Sequence, residues 1–240
     1  MTRLPGGEER ARSVRRIFGA IAGRYDFLNH ALSANLDRRW RAACVREVGR
    51  RLRAPSPLIL DVGCGTADLA LAVSRLGRVV GCDFSRPMLE RGAEKVARAG
   101  RAIELLEADA LHLPFGDRSF DAVVSAFVLR NLADLDRGLE EMRRVLRPGG
   151  VLAVLDFGMP RLPVVSGCYR FYFLRVLPRI GKWVSGVDGA YGYLPRSVEE
   201  FPPAEELRER AIRAGLEGVH CRRVSGGITV LLTGSRPLGE

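Results

Sequence analysis

The chain has 240 residues, 47% of them apolar, with 38 basic and 28 acidic side chains and a formal charge of +10. This length and composition predict a globular protein with a sizeable core and exclude collagen-like, disulfide-framework and wholly disordered classes. No run approaches the ~18 apolar residues of a membrane-spanning helix, and the polar, Arg-rich N-terminus lacks the apolar centre of a secretory signal. A soluble cytoplasmic protein is therefore expected. The five cysteines are never spaced C-x-x-C and the three histidines are dispersed, so neither a disulfide framework nor a metal site is expected.

In sequence order, two Arg-rich helices are predicted over about 8–22 and 36–52. A strand at 58–62, a helix at 67–76, a strand at 78–82, a helix at 86–98 and a strand at 103–108 follow. A strand at 121–127, a helix at 135–146 and a strand at 151–157 continue the alternation, with Arg147-Pro148-Gly149-Gly150 read as the stop signal of that last helix. After an aromatic segment come a helix near 204–214 and strands near 217–224 and 227–233, joined as a hairpin by Ser225-Gly226-Gly227. Strands alternating with helices predict an α/β fold whose mostly parallel sheet is covered on both faces. One domain is expected: a helical arm (1–53), a ligand-binding core (54–159), a lid (160–203) and a C-terminal helix and hairpin (204–240).

The sharpest local signal is Leu60-Asp61-Val62-Gly63-Cys64-Gly65-Thr66-Ala67-Asp68, at the first strand-to-helix turn. Gly63 and Gly65 let the backbone approach a ligand closely, and the opening helix offers free N–H groups. A dinucleotide fingerprint would place a third glycine at position 68. Asp68 stands there, repelling a pyrophosphate but not a sulfonium with an amino-acid tail, so the loop favours S-adenosylmethionine over NAD. Asp83 ends the second strand, where a carboxylate accepts both ribose hydroxyls. Asp109 follows the third, beside Ala110, where its side chain accepts from an adenine amino group. Strand-end acids are often only turn formers, but three in register with a Gly loop form a cofactor site with Asp61.

The segments LDVGCGTADLA, GCDFSRPML, ADALHLPFGDRSFDAVV and EEMRRVLRPGGVLAVLDF resemble the class I methyltransferases, whose Rossmann-like sheet has seven strands and an antiparallel final hairpin. The D/N-P-P-Y/F and Pro-Cys motifs of base methyltransferases are absent after the fourth strand, where the sequence reads Ser125-Ala126-Phe127-Val128-Leu129-Arg130-Asn131; a nucleic-acid partner is not expected. VRRIFGAIAGRYDFLNHALSANLDRRWR, AFVLRN, GAYGYLPRSVEEFP and GGITVLLTGSRP resemble the ubiquinone/menaquinone biosynthesis C-methyltransferases, over about residues 14–237. The resemblance implies S-adenosylmethionine as cofactor and C-methylation of a polyprenylated quinol ring. The GTAD loop leans toward naphthoquinol, demethylmenaquinol to menaquinol, with the benzoquinol of ubiquinone biosynthesis or another phenol as alternatives. It places cofactor contacts at Thr66, Asp83, Asp109 and Ala110. A serine common in the family falls at Ala126, leaving Ser125 to substitute.

The implied chemistry needs a ring hydroxyl to lose its proton, so that the adjacent carbon becomes nucleophilic. Arg130 is expected to stabilise the oxyanion and Asn131 to hold the other ring oxygen, whereas a helix cap is their bland alternative. Tyr25 and Asp26 are expected to orient the hydroxyl or a water, although Tyr25 also suits simple packing. Tyr191 and Tyr193 are expected to line the ring pocket. His30 and Cys64 are read as a surface site and loop filler.

Charge is uneven: residues 1–53 carry 13 arginines against 5 acids, and 160–185 carry 5 cations and no acid. Residues 164–184 interleave aromatics with Arg and Lys, a composition suited to a headgroup interface and equally to a lid helix with its cations in water. The two cationic segments are expected to frame the substrate mouth against the inner face of an anionic membrane. A homodimer is compatible with the sequence, but no feature specifies one.

Overall fold

The computed structural model describes residues 7–24, 26, 29–30, 33–160, 167 and 190–239. Helices α1 (Gly7–Ile21) and α2 (Leu36–Arg51) precede β1 (Leu58–Val62). Then come α3 (Asp68–Val73), β2 (Arg78–Asp83), α4 (Arg86–Arg98), β3 (Ile103–Glu107), β4 (Phe120–Ala126), α5 (Leu135–Val145) and β5 (Leu146–Phe157). Helices α6 (Ala190–Glu200) and α7 (Ala204–Arg213), then β6 (Glu217–Val224) and β7 (Thr229–Ser235), complete the described residues.

The strands form one sheet in the order β3-β2-β1-β4-β5-β7-β6, parallel except for β7, which runs antiparallel to both neighbours. Period-two alternation decides which face each side chain joins. Leu60, Val62, Leu152 and Leu232 pack with α5 and α7. Ile59, Val124, Leu155 and Leu231 pack against α2 and α3. Because both faces are covered, the central strands read as continuous apolar runs. The order reverses between β1 and β4, and the carboxyl ends of these strands open onto a crevice, the usual ligand position in such sheets.

Three local differences from expectation have physical causes. Helix α3 starts only at Asp68, because Ala67 takes a left-handed conformation (φ 67°), and it ends at Val73. Arg147–Gly150 does not separate helix from strand: β5 starts at Leu146, paired with Phe120, and bulges there. Gly149 N–H donates to the Arg236 carbonyl (2.9 Å) and Arg236 N–H to that of Gly150 (3.0 Å), so the turn-forming residues are absorbed into the sheet margin. Helix α6 is absent from the sequence expectation, since Pro195 lies inside it. Its N–H is missing, but burial of Tyr193, Ser197 and Val198 holds the helix through packing.

Candidate active site

The crevice is a cavity of about 290 Å³ at the ends of β1, β2 and β4, with Asp109 and Ala110 beyond β3 and with α1 as one wall. Its floor is the Gly loop. Gly63 and Cys64 N–H groups both donate to the Cys82 carbonyl (2.7 and 2.9 Å), pinning the loop to β2. Gly63 has φ 69°, and a Cβ there would lie 2.3 Å from Val128 Cγ2, so the turn accepts no side chain. Asp83 shapes the loop as well as facing the cleft: its carboxylate accepts from Gly65 N–H and Ser85 N–H, each at 2.9 Å. Burial pushes its pKa up to about 6, against the pull of those amides and of Arg15.

Asp61 is 1% exposed, and neither carboxylate oxygen has a hydrogen-bond partner of ordinary geometry. It lines a smaller cavity of about 30 Å³ beside Gly63, Gly65, Thr66 and Arg41. Burial pushes its pKa up to about 8, although Arg41 and the Ala70 amide pull it down. An unsatisfied buried acid facing a buried arginine matches a ligand tail carrying both an ammonium and a carboxylate. The chemistry of these residues is compatible with S-adenosylmethionine: Asp61 and Arg41 would meet its amino-acid tail, Asp83 the ribose, and Asp109 with Ala110 the adenine.

A buried acid whose folded pKa exceeds its unfolded value stabilises the protein below the unfolded pKa, and that contribution disappears as pH rises through the folded pKa. For Asp61 the window runs from its ordinary value of 3.8 to about 8. The Asp61 contribution to the stability of the ligand-free protein should therefore decline across this range, alongside that of Asp83 up to about 6, and Asp61→Asn should make the pH dependence less steep. Melting curves at stepped pH check this; an unchanged slope in the variant would refute the assignment.

The other expected residues separate into two groups, and Tyr193, buried and not among the cleft-lining residues, stands behind Asn131 instead of lining the pocket. Asn131, Ala110 and Asp109 line the cleft. Asn131 is clamped, donating from Nδ2 to the Phe127 carbonyl (3.1 Å) and accepting at Oδ1 from the Tyr193 hydroxyl (3.1 Å). Burial raises the Tyr193 pKa, which keeps that hydroxyl a donor. Asp109 accepts from Leu111 N–H (2.9 Å). Arg130, by contrast, is 5% exposed and is not among the cleft-lining residues. Its Nη1 donates to Asp156 Oδ1 (2.7 Å), its backbone N–H donates to Asp156 Oδ2 (3.2 Å), and its guanidinium lies 5.0 Å from the Phe157 ring centre. Ser125 also misses the cleft: its hydroxyl donates to the Val62 carbonyl (2.7 Å), while Ala126 faces the cavity.

Asp26 reaches the cofactor loop, accepting from the Thr66 hydroxyl and pairing with Lys95 (2.6 Å). Tyr25, the side chain of Tyr191 and the aromatic segment 164–184, except Gly167, lie outside the described residues. His30, Asp37 and Asp68 place ligand-type atoms within 4.8 Å of one another. Arg41 pairs with Asp37 and lies 3.6 Å from Asp68, and Lys95 lies 2.6 Å from Asp68, so cations already neutralise this cluster.

Sequence reasoning missed Arg41, Lys95, Asp156 and the cleft-lining Arg12 and Arg15. Asp156 is the penultimate residue of β5, within the EEMRRVLRPGGVLAVLDF motif, and Lys95 is one of two lysines among 38 cations, a signal that was available. No helix among the described residues is long and apolar enough to cross a membrane.

Solved structures share the fold at low identity. An S-adenosylmethionine-dependent methyltransferase from Aquifex aeolicus matches with a TM-score of 0.57 at 20% identity, over 80% of this chain and 88% of that one. The [4+2]-cyclase SpnF matches at 0.62 and 22%, over 82% and 81%. Curated relatives are much nearer. The demethylmenaquinone methyltransferase of Thermus thermophilus is 45% identical, covering 92% of this chain and 100% of its own. The ubiquinone/menaquinone biosynthesis C-methyltransferase UbiE of a Geobacter species is 40% identical, over 95% and 98%. The sequence model of the ubiE/COQ5 methyltransferase family matches residues 6–236. With that match, these relatives and the seven-stranded fold, the chain belongs to the ubiE/COQ5 family of S-adenosylmethionine-dependent methyltransferases.

Proposed function

We propose that this protein transfers a methyl group to a ring carbon of a polyprenylated naphthoquinol, converting demethylmenaquinol to menaquinol. The observation that carries the reading is near full-length similarity, at 38–45% identity, to relatives named demethylmenaquinone methyltransferase. A second reading, the benzoquinol of ubiquinone biosynthesis, is favoured by relatives named for both pathways.

S-adenosylmethionine, when bound, supplies an electrophilic methyl group. The protein's task is to hold the ring carbon in line and stabilise charge on the neighbouring oxygen. Arg12 and Arg15 stand on the cleft wall, where their field favours the deprotonated ring hydroxyl. Asn131, fixed by Phe127 and Tyr193, is placed to orient a ring oxygen. Arg130 serves as a positioning residue: its pair with Asp156 holds the turn that presents Asn131. Deprotonation makes the ring carbon nucleophilic, and loss of its proton after transfer restores aromaticity. Tyr193→Phe should lower kcat by about 3–10-fold with a modest loss of stability, since the hydroxyl that fixes Asn131 Oδ1 is removed and that acceptor loses its donor. Initial-rate kinetics and a melting curve check this together.

The cationic mouth is assigned to an anionic membrane surface, where the prenyl tail stays in lipid while the ring enters the cleft. Arg12, Arg15 and Arg16 are exposed on α1; each contributes roughly 1 kcal/mol near an anionic leaflet. Co-sedimentation with vesicles should rise with anionic lipid content, and indifference to it would refute the assignment.

The substrate reading is tested with methyl-labelled S-adenosylmethionine, offering reduced demethylmenaquinol and the demethylated benzoquinol in micelles. Label in the naphthoquinol is expected. Label in the benzoquinol alone, or in neither despite cofactor binding, would overturn it.

A further inference from the structure

Lys95, on α4, is one of two lysines in a sequence with 38 cations. Its ammonium lies 2.6 Å from Asp26 Oδ2, 2.6 Å from Asp68 Oδ1 and 3.4 Å from Thr66 Oγ1. Thr66 donates its hydroxyl proton to the other Asp26 oxygen, which closes the set. Three parts of the protein meet at this point: the N-terminal segment before α2, the cofactor loop with the start of α3, and α4. A guanidinium is a planar fork suited to one carboxylate, whereas an ammonium projects three donors from a single atom. Where nearly every other cation is arginine, the ammonium at 95 answers this convergence of acceptors.

The N-terminal segment also covers the cleft. Ala11, Arg12, Val14, Arg15 and Phe18 of α1 form one of its walls. Among the described residues, α1 packs through Val14 against Tyr193, with Ile17, Phe18 and Phe84 around them. The Arg15 guanidinium lies 5.4 Å from the Phe84 ring centre, and Arg10 sits 3.8 Å from Glu200. Where a helix walls a ligand cleft, a polar fastening of the segment that continues it bears on how often the cleft opens.

We propose that Lys95 is a latch: it fastens the N-terminal cover, through Asp26, to the cofactor loop at Thr66 and Asp68, and so controls exchange of cofactor and demethylated product. The proposal rests on the reading of the cleft as an S-adenosylmethionine site. Releasing the ammonium frees the cover and the Thr66–Asp68 turn together, so opening of the cleft and loosening of the loop are one event. Lys95 is a positioning residue and touches no reacting atom.

The test uses the full-length protein and S-adenosylhomocysteine, with no quinol, comparing Lys95→Met, Lys95→Arg and Asp26→Asn. Dissociation rates are read by stopped flow and the protection of residues 7–24 by hydrogen exchange. Lys95→Met and Asp26→Asn should speed dissociation by about tenfold, because a charge-assisted network is cut. Lys95→Arg should fall between them and the parent, and high salt should narrow every difference. The near-isosteric Asp26→Asn keeps the test alive should Lys95→Met fold poorly. Dissociation within about twofold of the parent in all variants, with unchanged protection, would overturn the latch. Unchanged dissociation in Asp26→Asn, together with a fall in kcat in a separate initial-rate assay with quinol, would overturn the latch and make Asp26 a substrate-side residue. Failure of the parent to bind S-adenosylhomocysteine would overturn the cofactor reading and the latch with it, whereas failure of quinol methylation alone would leave the latch standing.

Discussion

Replacing Asp156 by alanine should destabilise the protein by about 3–5 kcal/mol, because it strands a buried guanidinium. Asp156 is 0% exposed and receives Arg130 Nη1, Arg130 N–H and Phe157 N–H. Without that carboxylate, Arg130 keeps the faces of Phe127 and Phe157, at 5.9 and 5.0 Å, as partners for its charge. The same change releases the turn Leu129–Asn131, so activity should fall by about 100-fold, beyond the fraction unfolded. Urea denaturation and initial rates at a temperature where the variant is folded separate the two effects. The double variant Arg130→Met/Asp156→Leu should recover much of the stability and none of the activity, since an apolar pair replaces the buried ions without holding the turn. A stability loss under about 1 kcal/mol in Asp156→Ala would refute the account of the pair.

The second large effect is expected at Gly63. Gly63→Ala imposes a side chain at φ 69° and drives its Cβ to 2.3 and 2.9 Å from the two methyl groups of Val128. The clash cannot be relieved by a flexible tip, because Val128 is short and stiff at χ1. Overpacking of this kind costs about 1–3 kcal/mol, and the left-handed conformation adds about 1–2 kcal/mol. The loop must shift, and affinity for S-adenosylhomocysteine should drop by at least about 100-fold. Gly65→Ala is the control: its φ is 53°, but the new Cβ meets only Met88 Cε, the tip of an unbranched side chain, at 3.3 Å. It should bind with a loss nearer tenfold. Calorimetric titration of both variants decides; equal affinities would show that φ strain, not Val128, limits the site.

Much of the architecture was legible in the residues alone. The βα alternation and the final hairpin follow from runs whose period and punctuation are local properties of the sequence, and the sheet shows seven strands with β7 antiparallel. The Gly63–Gly65 loop, Asp83 and Asp109 converge because strand-end loops of a parallel sheet open on one edge, a consequence of topology alone. Helix α6 was hidden because Pro195 breaks the local signal, and its stability comes from packing that no window of sequence contains.

Side-chain roles were less legible. Arg130 looks in sequence like a cation offered to a substrate, and only the tertiary structure places Asp156, 26 positions away, against it. Asp26 sits in an N-terminal motif, yet its partners are Thr66 and Lys95, 40 positions and more further on. The sequence by itself determined most of the elements, the strand-end acids and the family, because these are written in local pattern. The tertiary structure decided which charges face the cleft and which neutralise one another, because an ion pair depends on distance and burial, and neither exists until the sheet has formed.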